Sequence, residues 1–364
     1  MVKTLPHKLR RLLQATALLS LPTLAGCFGV AWLPDSSGFI YTDGNELQQL
    51  VHYDIASGQR RVLVAKLPAA TAWPALSADG KQIAVARLVR DKNQPAKQIM
   101  QLILYDREGE EIHRSPEIVW TTTGKESNEE LVLTNVYWAP STGRLLVNDF
   151  EGDCGNTGIY DPVTKKMVAT MEGIPAPFGG TPIRSDGKGF ILACKRGNSP
   201  ATLSFVDLDG KAQPIDMKPE AVDNDDKSNA VTFPWSASSQ WNGNEAVVTY
   251  RMFRIRIDTA KRTGNIEKLA AEDAVVEGKE IVQQFAFPGG GKLRVLIEDQ
   301  PSTKYTAEFV KGAKEVKAIK IQDKAFIMCP SPNQKWVVLR SMSDMRETYL
   351  VNGAGEVKEI SAAP

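Results

Sequence analysis

The sequence predicts an all-β fold, a seven-bladed β-propeller built from four-stranded antiparallel blades. Two series of turns and one series of strands lead to this prediction. A first turn, rich in Ser, Pro, Asp and Gly, occurs seven times, and a second turn follows each one after 19 to 27 residues. Repeats of about 40 to 50 residues made of short strands are typical of propellers, because no single blade can bury both of its faces.

The first turns reverse the chain between neighbouring strands. Asp and Asn side chains bind their own backbone there, and Gly accepts a positive φ. The spacing from turn to turn is 44, 62, 45, 52, 52 and 43 residues, so we expect insertions in blades two, four and five. The seven first turns are residues 34–38, 77–81, 140–143, 185–188, 236–239, 288–292 and 331–335.

The second turns and the apolar runs keep the same order in every repeat. The second turns are residues 53–54, 105–106, 160–161, 206–207, 257–258, 310–311 and 351–352. The apolar runs are short, β-branched or aromatic, and bounded by turn residues, as strands are. They cover residues 38–41, 82–86, 145–147, 190–193, 246–250, 293–297 and 336–339. Trp32, Trp138 and Trp235 precede first turns, and we expect them to pack between blades.

Two of the repeats carry a more specific pattern, Trp32-Leu33-Pro34-Asp35 and Leu76-Ser77-Ala78-Asp79-Gly80-Lys81 followed by Gln82-Ile83-Ala84. This pattern resembles the TolB-like branch of the WD-repeat-like propellers over nearly all of the chain after residue 28. The resemblance implies the propeller fold. Such folds carry both binding proteins and enzymes, so function has to be argued from a site.

The N-terminus has the composition of a secretory signal, with four basic residues before an apolar run from Leu12 to Leu24. The run ends in Leu24-Ala25-Gly26-Cys27, which resembles the box of bacterial lipoprotein signals. The resemblance implies cleavage after residue 26 and acylation of Cys27, an anchor that buries acyl methylenes in the bilayer. The alternatives are an ordinary secretory signal or a membrane anchor, although the run is short for a bilayer span.

The chain therefore divides into a signal, residues 1–26, and one propeller domain, residues 27–364. Its 42% hydrophobic content suffices for a sizeable core. Cleavage leaves 40 basic against 43 acidic residues, a net charge of −3, compared with 44 against 43 before it. This balance argues against nucleic acid as a partner. The predicted location is the bacterial cell envelope, outside the cytoplasm.

Cysteines are few, which suits an oxidising compartment where a pair can form a disulfide. Cys154 and Cys194 occupy similar places in neighbouring repeats, and we predict a bridge between them; two free thiols are the alternative. Cys329 precedes the last first turn, where we expect a packed small hydrophobe.

The sequence offers no motif for catalysis. His52 and His113 stand outside any visible constellation, and the nucleophile elbow of α/β-hydrolases is absent from the sequence. Zinc spacings are absent too, so we predict neither a metal nor a cofactor. We expect the charged loops between second and third strands to bind a protein or glycan ligand, with Arg90, Arg196, Arg254 and Arg346 as candidates.

The predicted function is a membrane-anchored, non-catalytic binding or assembly scaffold. The alternative is an envelope enzyme, a polysaccharide lyase or hydrolase, with its site at the mouth of the propeller channel. A purely structural spacer is a third possibility. A pocket in which two carboxylates, or a Tyr and an Arg, converge would favour the enzyme.

Overall fold

The computed structural model describes 17 stretches of the chain between residues 29 and 360. They are residues 29–43, 48–68, 73–91, 94–121, 134–149, 155–176, 182–184, 186–194, 202–218, 238–250, 253–269, 275–276, 279–298, 304–311, 315–319, 326–341 and 347–360. All 31 elements in these stretches are β-strands. They form seven sheets in a ring, a seven-bladed β-propeller, as the sequence predicts.

Each blade contains four antiparallel strands in chain order from the centre outwards. Blade 1 has β1 (Val30–Trp32), β2 (Gly38–Asp43), β3 (Gln49–Asp54) and β4 (Arg60–Val64). Blade 2 has β5 (Ala75–Leu76), β6 (Gln82–Asp91), β7 (Gln94–Asp106) and β8 (Glu111–Arg114), and β9 (Ile118–Thr121) pairs with β7. Blade 3 has β10 (Thr134–Trp138), β11 (Leu145–Asp149), β12 (Asn156–Asp161) and β13 (Lys166–Glu172).

The remaining blades follow the same plan. Blade 4 has β14 (Ile174–Ala176), β15 (Gly189–Cys194), β16 (Thr202–Asp207) and β17 (Ala212–Pro214). Blade 5 has β19 (Ser238–Asn242), β20 (Glu245–Tyr250), β21 (Phe253–Asp258) and β22 (Thr263–Lys268), with β18 (Asp216–Lys218) parallel to β22. Blade 6 has β24 (Lys279–Ala286), β25 (Gly291–Glu298), β26 (Lys304–Lys311) and β27 (Glu315–Ile319), and the two-residue strand β23 (Val275–Val276) pairs antiparallel with β24. Blade 7 has β28 (Phe326–Pro330), β29 (Trp336–Ser341), β30 (Thr348–Asn352) and β31 (Val357–Glu359).

The seven predicted apolar runs all lie in second strands, counting four per blade from the channel. Their alternate residues face the two neighbouring blades, and the core is divided into clusters between blades. Ile83 and Val85, for example, pack with Ile40 and Leu50 of blade 1. Ala84 and its neighbours on the other face pack against blade 3. Burial between blades therefore explains why the strands are apolar on both faces.

The turns use the predicted side chains. Ser77 Oγ donates to Asp79 Oδ1 at 2.6 Å and accepts from Gln82 N at 2.9 Å. Ser331 makes the same pair of bonds in blade 7. In six of the second turns, the side-chain Oδ1 of an Asp or Asn accepts a hydrogen bond from the backbone N–H of the residue two or three positions later, at 2.7 to 3.0 Å. The acceptors are Asp54, Asp106, Asp161, Asp207, Asp258 and Asn352.

The first turn of the fifth repeat is a correction to the sequence analysis. Residues 238–239, assigned to that turn, begin the inner strand β19. The chain reverses instead between Asn242 and Glu245, which pair across a two-residue hairpin containing Gly243 at φ 61°. Glycine at the first of the two loop positions supplies the positive φ that such a tight reversal requires. Trp235 lies outside the described residues.

A contact between the outer part of one blade and the second turn of the next recurs around the ring. A Cβ on Gly109 would lie 2.3 Å from the Leu63 carbonyl oxygen of blade 1. Gly210 of blade 4 meets Ala169 of blade 3 in the same way, and Gly355 of blade 7 meets Phe309 of blade 6. Each of these glycines has a positive φ, so the position needs glycine for both conformation and space.

Candidate binding face

Strand direction puts all loops between second and third strands on one side of the ring, which we call the loop face. The first turns lie on the opposite side, the turn face. Gly29, the first described residue, stands at the loop-face end of β1. The second strands reach the loop face at Asp43, Asp91, Asp149, Cys194, Tyr250, Glu298 and Ser341. The residue at which the second strand ends therefore varies from blade to blade.

The structure describes two of the four predicted binding arginines. Arg90 lies in β6, opposite Gln98 of β7. This corrects the sequence analysis, which placed residues 87, 90 and 91 in a loop, because β6 and β7 continue as a longer hairpin. Arg254 lies in β21 at the edge of the loop face. Arg196 and Arg346 lie outside the described residues, as do Cys27 and Cys154.

Arg254 forms an ion pair within its own blade. Its Nη1 lies 2.9 Å from Glu267 Oε1 of β22, and both side chains are about one-third exposed. Arg256 Nε approaches the same carboxylate oxygen at 3.7 Å. Glu267 therefore neutralises part of the charge that the sequence analysis assigned to ligand binding, and whether Arg254 binds a ligand stays a prediction.

Blade 3 carries a buried polar cluster that the sequence analysis did not identify. Asp149 ends β11 with no exposed surface. Its Oδ1 accepts the Asn156 backbone N–H at 2.7 Å, and its Oδ2 accepts Asn156 Nδ2 at 3.0 Å. Burial raises the pKa of Asp149 to about 6, against the opposing effect of these two hydrogen bonds. Asp149 therefore titrates close to neutral pH.

Two buried amides lie beside Asp149 on the face toward blade 4. Asn135 and Asn148 stand directly opposite each other in β10 and β11. Asn135 Nδ2 and Asn148 Oδ1 have no hydrogen-bond partner among the described residues, although both side chains are at least 97% buried. Thr157, opposite Asn148, donates to the Gly173 carbonyl at 2.6 Å. Unsatisfied buried amides carry a free-energy cost, which marks this part of the loop face as unusual.

A second buried polar cluster lies where blade 7 meets blade 1. Arg340 of β29 is 3% exposed and donates to the carbonyl oxygens of Gly29 and Thr42. Its guanidinium also lies 5.4 Å from the ring centroid of Tyr41. Burial lowers the pKa of Arg340 to about 10, against nearby groups that favour its charged form. Nothing in the sequence distinguished Arg340 from Arg346, because its contacts are 298 and 311 residues away in the chain.

The cysteines partly answer the disulfide prediction. Cys194 is disulfide-bonded, and Cys329 is a buried thiol that takes no part in a disulfide. The bonding partner of Cys194 lies outside the described residues, so the pairing with Cys154 stays a prediction. The backbone favours this pairing, because Gly173 lies close to the neighbours of both cysteines. The Gly173 N–H donates to the Gly155 carbonyl at 3.0 Å, and a Cβ on Gly173 would lie 3.1 Å from the Ala193 carbonyl oxygen. Residues 155 and 193, the neighbours of the two cysteines, are thus close.

The described histidines take structural positions. His113 Nε2 lies 3.1 Å from Tyr160 Oη, and its ring stacks against that tyrosine. His52 Nε2 is buried without a partner. In the described stretches no hydrogen bond joins a histidine to a carboxylate, and no group of three His, Cys, Asp or Glu side chains is placed to hold a metal. Within the same stretches, no helix is long and apolar enough to cross a bilayer.

No protein-family model matches the chain, and no curated protein matches it in sequence. Solved structures do resemble it. A prolyl endopeptidase shares 13% identity over 93% of this chain at a TM-score of 0.50, and this chain spans 50% of its length. The C-terminal WD40 domain of Sif2 shares 9% over 90% of this chain and 82% of its own, with a TM-score of 0.46.

TolB from Acinetobacter baumannii shares 13% identity over 90% of this chain and 80% of its own, with a TM-score of 0.39. These likenesses concern the propeller fold alone. One of the three is a peptidase by name and the other two are not named as enzymes, so the likeness favours neither binding nor catalysis.

Proposed function

We propose that this chain is an envelope lipoprotein, acylated on Cys27, whose propeller is a non-catalytic binding or assembly scaffold that acts through its loop face. The observation that carries the proposal is the place of Gly29. It lies on the loop face, and its carbonyl is bound by the buried Arg340. An acyl chain two residues earlier would therefore tether the protein at the same face that carries the long polar loops.

Rigid strands beneath variable loops suit recognition of a protein or glycan. The second strands end on the loop face at five different residue types, whereas on the turn face the same Ser-led turn recurs in blades 2 and 7. Binding residues in proteins concentrate on loops held by a rigid scaffold. We therefore assign partner binding to the loop face, with Arg196 and Arg346 contributing positive charge.

The lipid part of the proposal is tested by mass spectrometry of protein extracted from membranes. The expected result is a diacylglyceryl group on an N-terminal Cys27, and Cys27→Ser should release the protein from the membrane fraction. A mature N-terminus at another residue, without lipid, would overturn it.

The binding part is tested with photo-crosslinking side chains placed one at a time on both faces. Positions 196 and 346 should crosslink to a partner in intact envelopes, and positions 81 and 188 of the turn face should not. Both control positions are exposed lysines in first turns. Crosslinks confined to the turn face would reverse the assignment.

Asp149 supports a second candidate, an envelope enzyme such as a polysaccharide lyase or hydrolase. A carboxyl group that titrates near pH 6 at the loop face has the proton affinity that a general acid or base requires. Cleavage of envelope polysaccharides by the wild type, lost in Asp149→Asn, would support this function. Absence of cleavage with intact partner crosslinking would favour the scaffold.

A further inference from the structure

Blade 2 extends beyond the rest of the ring on the loop face. β6 has ten residues and β7 has thirteen, whereas the second and third strands have eight residues in blade 6 and five or six in blades 1, 3, 4, 5 and 7. At about 3.3 Å per residue, four additional residues project about 13 Å. We call this extension, residues 87–91, 94–100 and 118–121, the arm.

The arm is a three-stranded sheet rather than a lone hairpin. β9 pairs antiparallel with the projecting part of β7, with Ile99 opposite Val119 and Lys97 opposite Thr121. β6 pairs with the other edge of β7, with Val89 opposite Ile99. A third strand makes such an extension more stable than two strands alone.

One face of the arm carries an apolar row between two basic residues. Val89, Ile99 and Val119 stand side by side across the three strands, and Arg87 and Lys97 share their face. Val119 is 56% exposed. The same face lower in the blade carries Val85 and Ile103, which pack on blade 1. The apolar row therefore continues the contact surface for blade 1 past the end of that blade.

The arm is basic in a protein that is acidic as a whole. Its described strands carry Arg87, Arg90 and Lys97 against a single acid, Asp91. The mature chain has a net charge of −3. Basic residues beside apolar ones are the composition of surfaces that lie on anionic bilayers.

The arm also stands next to the predicted tether. Gly29 begins blade 1 on the loop face, and blade 2 is the neighbour of blade 1. Two residues from Gly29 to Cys27 span at most about 7 Å. An arm that projects about 13 Å would thus reach the headgroups before the rest of the face.

We propose that the arm of blade 2 is a second membrane contact, which binds anionic lipid headgroups through its basic residues and lays its apolar row into the interface. The inference rests on the proposed tether at Cys27. A basic patch beside an acyl anchor is a known form of additional membrane signal. Contact at blade 2 would tilt the ring and leave blades 4 and 5, across the channel, accessible to a partner.

The test uses the mature chain, residues 27–364, with Cys27→Ser, which lacks both the signal and the acyl group, so it does not depend on acylation. Co-sedimentation is measured with vesicles of phosphatidylcholine alone and with vesicles that also contain phosphatidylglycerol. We expect binding to the anionic vesicles only, and we expect salt to weaken it because ions screen exposed charges. Equal binding to both vesicles, or none to either, would overturn the proposal.

Charge-reversal variants locate the contact. Lys97→Glu should weaken binding to the anionic vesicles by about fivefold or more, since each basic residue near such a surface contributes about fivefold. The matched control, Lys81→Glu, makes the same change in net charge on the turn face and should retain binding. Equal loss in both variants would refute the arm as the contact.

Val119→Ser tests the apolar row without changing charge. We expect weaker binding at high salt, where the apolar contribution dominates. Thermal melting of each variant checks that it is folded. The lipid hypothesis fails separately, through mass spectrometry of Cys27, so the two failures are distinguishable.

Discussion

Asp149 shows how a buried carboxyl group ties stability to pH. Burial raises its pKa to about 6, above the value of about 4 expected in the unfolded chain. The folded state therefore binds the proton more tightly between these values. Stability contributed by protonated Asp149 is present below about pH 4 and is lost as the pH rises through about 6.

Asp149→Asn should remove this loss. The amide has the shape of the protonated acid, so relative to wild type the variant should gain unfolding free energy as the pH rises from 4 to 7. The gain is about 3 kcal/mol for a shift of two pKa units, at 1.36 kcal/mol each. Urea unfolding of both proteins at each pH measures it. A difference that stays constant across this range would contradict the assigned pKa.

The aspartates of the turns respond to pH with the opposite sign. Backbone and side-chain hydrogen bonds from Ser57 lower the pKa of Asp54, and hydrogen bonds from Ser77 and the Lys81 backbone lower that of Asp79. Their contribution to stability is present above the unfolded value and is lost as pH falls through the folded one. The turn aspartates that help to define the repeat in the sequence are thus ionised hydrogen-bond acceptors in the fold.

At the scale of elements, regular strands and turns were predictable, and departures from the repeat were not. The apolar runs predicted the second strands because burial between blades requires apolar residues on both faces. The arm of blade 2 was predicted to be a loop because Arg87 and Arg90 are polar. Polar residues do not by themselves indicate a strand, and the strands that pair with them here could not be identified from the sequence. The buried Asn135 and Asn148 were missed for a similar reason, since their burial depends on blade 4.

The glycine contacts between blades give a prediction with an internal control. Gly109 and Gly143 both have positive φ, but a Cβ meets the Leu63 carbonyl at 2.3 Å in the first and nothing within 4 Å in the second. Gly143→Ala should cost about 1 kcal/mol of unfolding free energy for the backbone alone. Gly109→Ala should cost about 1 to 3 kcal/mol more, because the blades must move apart. Equal losses in denaturant unfolding would count against the contact as a constraint.

The predicted link between blades 3 and 4 is tested by peptide mapping without reduction. A peptide joining Cys154 to Cys194 is expected. Replacing both by serine should lower stability by about 4 kcal/mol, from the entropy of a loop of about 40 residues. Detection of Cys154 as a free thiol in the folded protein would exclude the pairing.

On the scale of the whole molecule, the ring closes without exchange of strands. Blade 1 uses only N-terminal strands and blade 7 only C-terminal ones. Side chains make the join: Trp32 Nε1 donates to the Cys329 carbonyl at 3.0 Å, and the Asn333 backbone N–H donates to Ser36 Oγ at 3.1 Å. Arg340 supplies the join at the loop face. Sequence repeats predicted seven blades but could not show these contacts, which join residues almost 300 positions apart.

Arg340→Met should weaken this join. The change leaves the carbonyls of Gly29 and Thr42 without their donor, and loss of a buried charged partner typically costs about 3 kcal/mol. Arg114→Met, which removes an exposed ion pair with Glu111 at 2.5 Å, is the control and should cost at most about 1 kcal/mol. Hydrogen exchange should increase in β1 and β29 for the first variant only. Unchanged exchange there would show that Trp32 and Ser36 suffice.

The position of Gly29 also decides how the fold would carry a mechanical load. β1 runs from the loop face inward, so a pull on its N-terminal end acts along the strand rather than across it. Its three residue pairs with β2 would be strained together, in shear, instead of opening one after another. Arg340 donates hydrogen bonds to a carbonyl in or beside each of these two strands, at Gly29 and Thr42, and so links the strands at the end where the force acts. If the protein is pulled through its N-terminus, we expect the pairing of β1 with β2 to resist the force longer than other parts of the fold.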